Sequence, residues 1–179
     1  GDAQSIVAAF GHSCALRRGR VASCWGDNDR GQLGDGTTGP HIVPVPVNLG
    51  GIDDIAVGLA HTCVRSGPRL YCWGFNDAGQ LGFGDQIHRT DPEMIPAART
   101  GDIIDVAIGL SHTCAVRSSG EVICFGFNDQ GQVGTANAGQ GGSNQILDPV
   151  VVPSIDNAMQ VALGHAHSCA TTEAGRVRC

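Results

Sequence analysis

Short apolar runs of four to six residues recur along the chain, closed off by glycine, asparagine, aspartate or proline. Four of them open comparable segments: Ile6 to Ala9, Ile55 to Gly58, Val106 to Gly109 and Val161 to Gly164. In the last three, branched residues (Ile55, Val57; Val106, Ile108; Val161, Leu163) alternate with Ala and Gly, the period of two that a strand imposes. One face can fill a core, and the small-residue face lets a neighbouring backbone come close. No segment carries apolar positions spaced by three and four over ten or more residues, so no amphipathic helix is predicted. The pattern predicts an all-β chain.

Each run leads into a His-Ser/Thr-Cys triplet, at His12, His61, His112 and His167, with intervals of 49, 51 and 55 residues. A turn and a second cysteine follow: Cys24-Trp-Gly, Cys72-Trp-Gly, Cys124-Phe-Gly and Cys179. Three copies continue into Asn-Asp-x-Gly-Gln, at Asn28 to Gln32, Asn76 to Gln80 and Asn128 to Gln132. A catalytic pair of cysteines is normally unique, whereas a structural unit recurs. The chain thus reads as one domain, 1–179, with repeats at approximately 4–53, 54–103, 104–158 and a half repeat at 159–179.

Composition sharpens this picture. Twenty-seven glycines and only eight aromatic residues describe many short elements joined by tight turns. A net charge of −6, with no basic cluster beyond Arg17, Arg18 and Arg20, repels a phosphate backbone and argues against nucleic acid as a partner. No apolar run is long enough to span a bilayer, so no membrane insertion is expected. The first residues, Gly-Asp-Ala-Gln-Ser, resemble neither a signal peptide nor a lipid anchor, so an export signal, if there was one, has been removed.

Eight cysteines admit 105 pairings, and the repeat singles out Cys14 with Cys24, Cys63 with Cys72, Cys114 with Cys124, and Cys169 with Cys179. Opposed residues of an antiparallel hairpin come within disulfide range. Ser118-Ser119-Gly120 and Glu173-Ala174-Gly175 then form three-residue loops with glycine last, and Gly67-Pro68 a two-residue turn. In the first copy Gly19 lies one place early, which predicts a bulge near Ala22 and Ser23. Zinc is the weaker reading, because structural sites place ligands two to four apart on a loop. Redox catalysis is weaker still, for want of a Cys-x-x-Cys. Closing each loop of about ten residues removes roughly 2.5–3 kcal/mol of unfolded-chain entropy at most. Paired cysteines imply an oxidising compartment: extracellular, cell-surface or periplasmic.

The unit Val-Ala-x-Gly-x-x-His-Ser/Thr-Cys-Ala, then Gly-x-Val-x-Cys-Trp-Gly-x-Asn-x-x-Gly-Gln-Leu-Gly, resembles the repeat of the regulator of chromosome condensation family over essentially the whole chain. The resemblance implies a β-propeller of four-stranded blades, commonly seven, of which about three and a half repeats are present here. That family includes a nuclear guanine-nucleotide exchange factor, a propeller inhibitor of β-lactamases and many secreted bacterial proteins. The paired cysteines resemble the secreted bacterial variety.

Independently of the family, Trp25, Trp73 and Phe125 are expected to pack between adjacent blades. Asn28, Asn76 and Asn128 supply turn chemistry, with Gly31, Gly79 and Gly131 free to take positive φ. The repeated histidines read as hydrogen-bonding spacers, and His165 with His167 share a strand face that could bind a metal adventitiously. Asp27, Asp29 and Asp35 hint at a calcium loop, but neither the spacing nor a closing glutamate matches an EF-hand. No nucleophile elbow, phosphate loop or zinc-protease helix is present, and no acid/base pair stands out. The segment Thr135 to Asp148 is the longest inter-strand loop, and its Asn137, Gln140, Asn144 and Gln145 are the candidate binding residues.

These features predict a secreted or cell-surface structural or protein-binding module that is not an enzyme and needs no cofactor or metal. The alternative is a propeller inhibitor of a secreted or periplasmic enzyme, with nucleotide exchange a poorer fit to the cysteines. The half repeat ending at Cys179 is expected to be completed by the rest of a longer polypeptide, by a second chain in a ring, or by the next molecule of a filament.

Overall fold

The computed structural model describes residues 2–135 and 144–179. Four antiparallel sheets follow one another along the chain. The first contains β1 (Ala3–Ala8), β2 (His12–Arg17), β3 (Val21–Gly26) and β4 (His41–Gly50). The second contains β5 (Asp54–Val57), β6 (His61–Ser66), β7 (Arg69–Gly74) and β8 (Arg89–Met94). The third contains β9 (Ile103–Ile108), β10 (His112–Arg117), β11 (Val122–Phe127) and β12 (Gln145–Val151). The fourth contains β13 (Ala158–Leu163), β14 (Ser168–Thr172) and β15 (Val177–Arg178). Within each sheet, spatial order equals chain order. This is a partial β-propeller: three four-stranded blades and one of three strands. A single helical turn, α1 (Ala97–Thr100), links the second blade to the third.

The core lies between blades. Leu16, Leu33, Val47, Ile52, Ile55, Val64 and Trp73 fill the first junction. Leu70, Leu81, Ile95, Ile103, Val106 and Phe125 fill the second, and Val116, Val122, Val133 and Val152 the third. Burying a side chain of this size stabilises by roughly 1.5–3 kcal/mol before entropy is charged against it. The small residues of the inner strands have the role their alternation predicts. A Cβ placed on Gly109 would overlap the His112 ring and lie 2.7 Å from the Gly164 carbonyl of the next blade. All of Pro44, Pro46, Pro92 and Pro149 sit on the outermost strands β4, β8 and β12.

Disulfides join Cys14–Cys24, Cys63–Cys72, Cys114–Cys124 and Cys169–Cys179, with Cα atoms 4.1–4.2 Å apart. That separation belongs to directly opposed residues without mutual backbone hydrogen bonds. The first three bridges are buried in the junctions, whereas Cys179 is exposed.

The bulge expected near Ala22 and Ser23 does not form. The hairpin of the first blade pairs without interruption from His12↔Gly26 through Cys14↔Cys24 and Leu16↔Ala22 to Arg17↔Val21. The misplaced glycine is absorbed in the loop instead. Arg20, at φ 62°, takes the left-handed position that Gly120 fills at φ 84° and Gly175 at φ 71°. Its side chain offsets the strain by donating to the Gly51 carbonyl at 2.8 Å and pairing with Asp53 at 2.7 Å. Arg20→Ala keeps the left-handed backbone cost and loses both contacts, so it should be less stable than Arg20→Gly by about 1 kcal/mol in denaturant titrations. Equal stability of the two variants would show that the Arg20 backbone carries no such cost.

Candidate functional site

The repeated histidines sit at the blade junctions. His12 Nε2 lies 2.8 Å from Thr62 Oγ1 of the next blade, His61 Nε2 3.1 Å from Thr113 Oγ1, and His112 Nε2 3.0 Å from Ser168 Oγ. Each hydroxyl donates back to a carbonyl of the preceding blade: Thr62 to Gln32, Thr113 to Gln80 and Ser168 to Gln132, at 2.7–2.8 Å. A hydroxyl has one proton, so it accepts from the histidine and fixes the proton on Nε2. The three Nδ1 atoms are then bare acceptors, buried and without a partner among the described residues. Burial lowers His12 to about 4 and His112 to about 4. His61, enclosed most fully and flanked by the other two, falls to about 3. At neutral pH these rings are uncharged structural donors. His165 and His167 are exposed.

The asparagines of the Asn-Asp-x-Gly-Gln stretches pin the long β3–β4 type loops. Asn76 Oδ1 accepts from the Leu81 N–H at 2.9 Å, and its Nδ2 reaches the Asp85 and Ile87 carbonyls and Asp85 Oδ1 at 3.0–3.1 Å. Asn28 and Asn128 accept equivalently from Leu33 and Val133. Asp85 is further tied to Arg89, whose guanidinium holds that carboxyl below its ordinary range and lies 3.8 Å from the Phe83 ring centre. Because Asn76 is fully buried, Asn76→Ala leaves an amide and several acceptors unpaired, and a loss of about 2–3 kcal/mol is expected. Urea denaturation measures it, and a change under 0.5 kcal/mol would contradict the pinning role.

At one end of the propeller the residue before each Gly/Ala/Ser-His and the residue after each Trp/Phe-Gly come together. The Asp27, Phe75 and Phe127 N–H groups each donate to Gly11, Ala60 and Ser111 at 2.8 Å, bringing the β1–β2 and β3–β4 type loops together. On this loop face Phe10 is 74% exposed, and Leu59 lies beside it. The Phe75 ring packs against both the Arg30 guanidinium, 5.3 Å from its centre, and the His88 ring at 5.1 Å, which themselves meet at 3.4 Å. Between the first two blades Phe10, Leu59, Arg30 and Phe75, with Asp27 and Asp29, line a groove of about 360 Å³.

The expected site residues divide. Asn137 and Gln140 lie outside the described residues. The Asn144 carbonyl accepts from Asn128 N–H at 2.7 Å, and Gln145 Oε1 accepts from Gln86 of the second blade at 2.8 Å. Asp35 is used within its own loop by Asn28, Thr37 and His41, while Asp27 and Asp29 face the groove. Among the described residues no three His, Cys, Asp or Glu side chains are placed to hold a metal. Trp73 and Phe125 are buried between blades, but Trp25 is half-buried. Phe10 and Leu59 were not singled out from the sequence. Their signal was an apolar residue in a turn directly before Gly/Ala-His.

The sequence matches the family described as Regulator of chromosome condensation (RCC1) repeat over residues 24–65, 69–116 and 119–171. Each matched segment runs from the second hairpin of one blade into the first hairpin of the next. The chain is similar to the Ultraviolet-B receptor UVR8 of Arabidopsis thaliana, 34% identical over 95% of this chain and 39% of that protein. It is 36% identical to the mouse probable E3 ubiquitin-protein ligase HERC4 over 98% of this chain and 17% of that protein. In structure it is similar to human WBSCR16 (TM-score 0.82, 23% identity, 96% of this chain and 44% of that one). It is equally similar to yeast RCC1 (Prp20) bound to Kap60 (TM-score 0.82, 22% identity, 97% and 42%). The chain therefore spans less than half the length of each of these proteins.

Proposed function

We infer the function from one premise: the chain belongs to the regulator of chromosome condensation (RCC1) repeat family. It is a non-catalytic propeller module that binds a protein partner on its loop face. One observation carries the reading. The recurring His, Thr, Gln and Asn side chains are consumed inside junctions and loops, whereas Phe10, Leu59 and Leu110, together with Asp27, Phe75 and Phe127, are not used in those bonds, change identity between the first copy and the next two, and meet at one end. Variation on a rigid scaffold is how loop surfaces acquire partner specificity. The similarity to yeast RCC1 captured with Kap60 supports a propeller of this kind serving as a docking body.

The four disulfides support an oxidising location, outside the cell or at its surface, as in the secreted bacterial members of the family. Inhibition of a secreted enzyme would be one instance of the same binding. Photo-crosslinkers placed at Phe10 on the loop face and at Ser118 on the opposite face test the reading in the native surroundings. Crosslinks to protein are expected from Phe10 alone, and crosslinks from Ser118 alone would overturn it.

A further inference from the structure

We propose that the groove between the first two blades takes a segment of the partner in which an apolar side chain, Phe or Leu, is flanked by Arg or Lys. This rests on the protein-binding reading and names the partner's chemistry. Phe10 is 74% exposed and Leu59 37%, and both line the groove, in a chain with only eight aromatic residues. Two large apolar side chains held open in tight turns lose free energy to water that an apolar anchor would recover.

Among the described residues the groove carries two carboxylates against one cation. Asp27 and Asp29 are exposed on the first-blade wall, and among the described residues neither forms an ion pair. Arg30, the one cation among the described residues that line the groove, forms no ion pair with either. Its guanidinium is drawn 5.3 Å above Phe75 and faces His88 at 3.4 Å on the second blade. Aspartates left unpaired beside an apolar floor complement a cation next to an apolar anchor and repel an acidic segment. A chain of net charge −6 adds long-range attraction for the same partner.

The walls are already set before anything binds. The Asp27 N–H is bonded to the Gly11 carbonyl at 2.8 Å, and the Asp27 carboxylate lies over Gly11, so that a Cβ there would have to displace it. The Leu59 N–H donates to the Leu110 carbonyl of the third blade at 3.2 Å. A preformed groove spares the ordering cost that weakens short peptides. It also opens into the axial mouth, which shares Phe10 and Leu59.

The test titrates the ¹⁵N-labelled chain with three decapeptides on a Gly/Ser background, carrying Arg-Phe-Arg, Glu-Phe-Glu or Arg-Ser-Arg. The Arg-Phe-Arg peptide should shift amides at Phe10, Gly11, Asp27, Leu59 and Phe75, and bind at least tenfold more tightly than the other two. The double change Asp27→Asn and Asp29→Asn should weaken it at least fivefold with the melting temperature unchanged, and Phe10→Ser should do the same. Equal binding of the Glu-flanked peptide or of Arg-Ser-Arg, shifts confined to other surfaces, or no binding of any peptide would overturn the proposal. If these occur while Phe10 crosslinks persist, the partner chemistry is refuted and the loop-face reading stands.

Discussion

Unfolding free energy should fall as the pH drops from about 6.5 towards 4, and His12, His61 and His112 should carry the loss. Their folded values lie near 4, 3 and 4, below the value of about 6.5 in an unfolded chain. The unfolded state therefore binds more protons between those limits, and protonation pulls the equilibrium towards it. Above pH 6.5 the contribution is fully present, and it is lost progressively as acid is added. At pH 5 each ring costs up to about 2 kcal/mol, and three together about 4–6 kcal/mol, a large share of ordinary domain stability.

The charges facing these rings add to the cost. His61 sees His12 and His112, and His112 sees His165 and His167, while only the His167 backbone beside His112 works in the opposite sense. Asp35, Asp53 and Asp85 are held low by hydrogen bonds and by His41 or arginine partners, and they lose stability only below about pH 4. Asp54, raised mainly by burial, works weakly in the opposite sense. Urea denaturation at pH 7.0 and 5.0 measures the difference. His61→Gln, which keeps a donor near Thr113 Oγ1, should flatten the dependence by about a third. A midpoint independent of pH over this range would refute the assignment.

Trp73→Ala should cost about 3–5 kcal/mol, while Trp73→Phe should cost only about 1 kcal/mol. Trp73 is fully buried in the first junction, and its ring lies against Gly34, where a Cβ would be 2.5 Å from Nε1. Alanine leaves a cavity that rigid sheets on either side cannot close. Phenylalanine loses chiefly the hydrogen bond from Nε1 to the Gln32 carbonyl at 2.9 Å. That carbonyl still accepts from Thr62 Oγ1, so it is not stranded. The next junction already contains the phenylalanine version: Phe125 lies against Gly82, and Thr113 serves Gln80. Calorimetric unfolding of both variants decides, and near-equal losses would mean that the hydrogen bond and not the ring volume dominates.

The blades were legible because a strand's period of two and a fifty-residue recurrence are both written along the chain. The loop of the first hairpin was misread because glycine was assumed to own the left-handed position, and Arg20 takes it with help from Gly51 and Asp53, neighbours far away in sequence. Helix α1 escaped notice since four residues display no helical period, and its last carbonyls are satisfied from a distance by Arg117. The groove was hidden for a related reason. Phe10, Leu59 and Phe75 belong to two blades, and spacing within one repeat does not say what faces what across a junction.

The prolines on β4, β8 and β12 have a consequence for behaviour in a crowd of identical molecules. The first three blades end on β4, β8 and β12, and an uninterrupted outer strand is a template onto which another chain can be stitched by backbone hydrogen bonds. Pro44, Pro46, Pro92 and Pro149 remove donors from that row and bend away from a flat register. Ile42 and Val43 can then stay exposed on β4 without offering a continuous row of donors to a neighbouring chain.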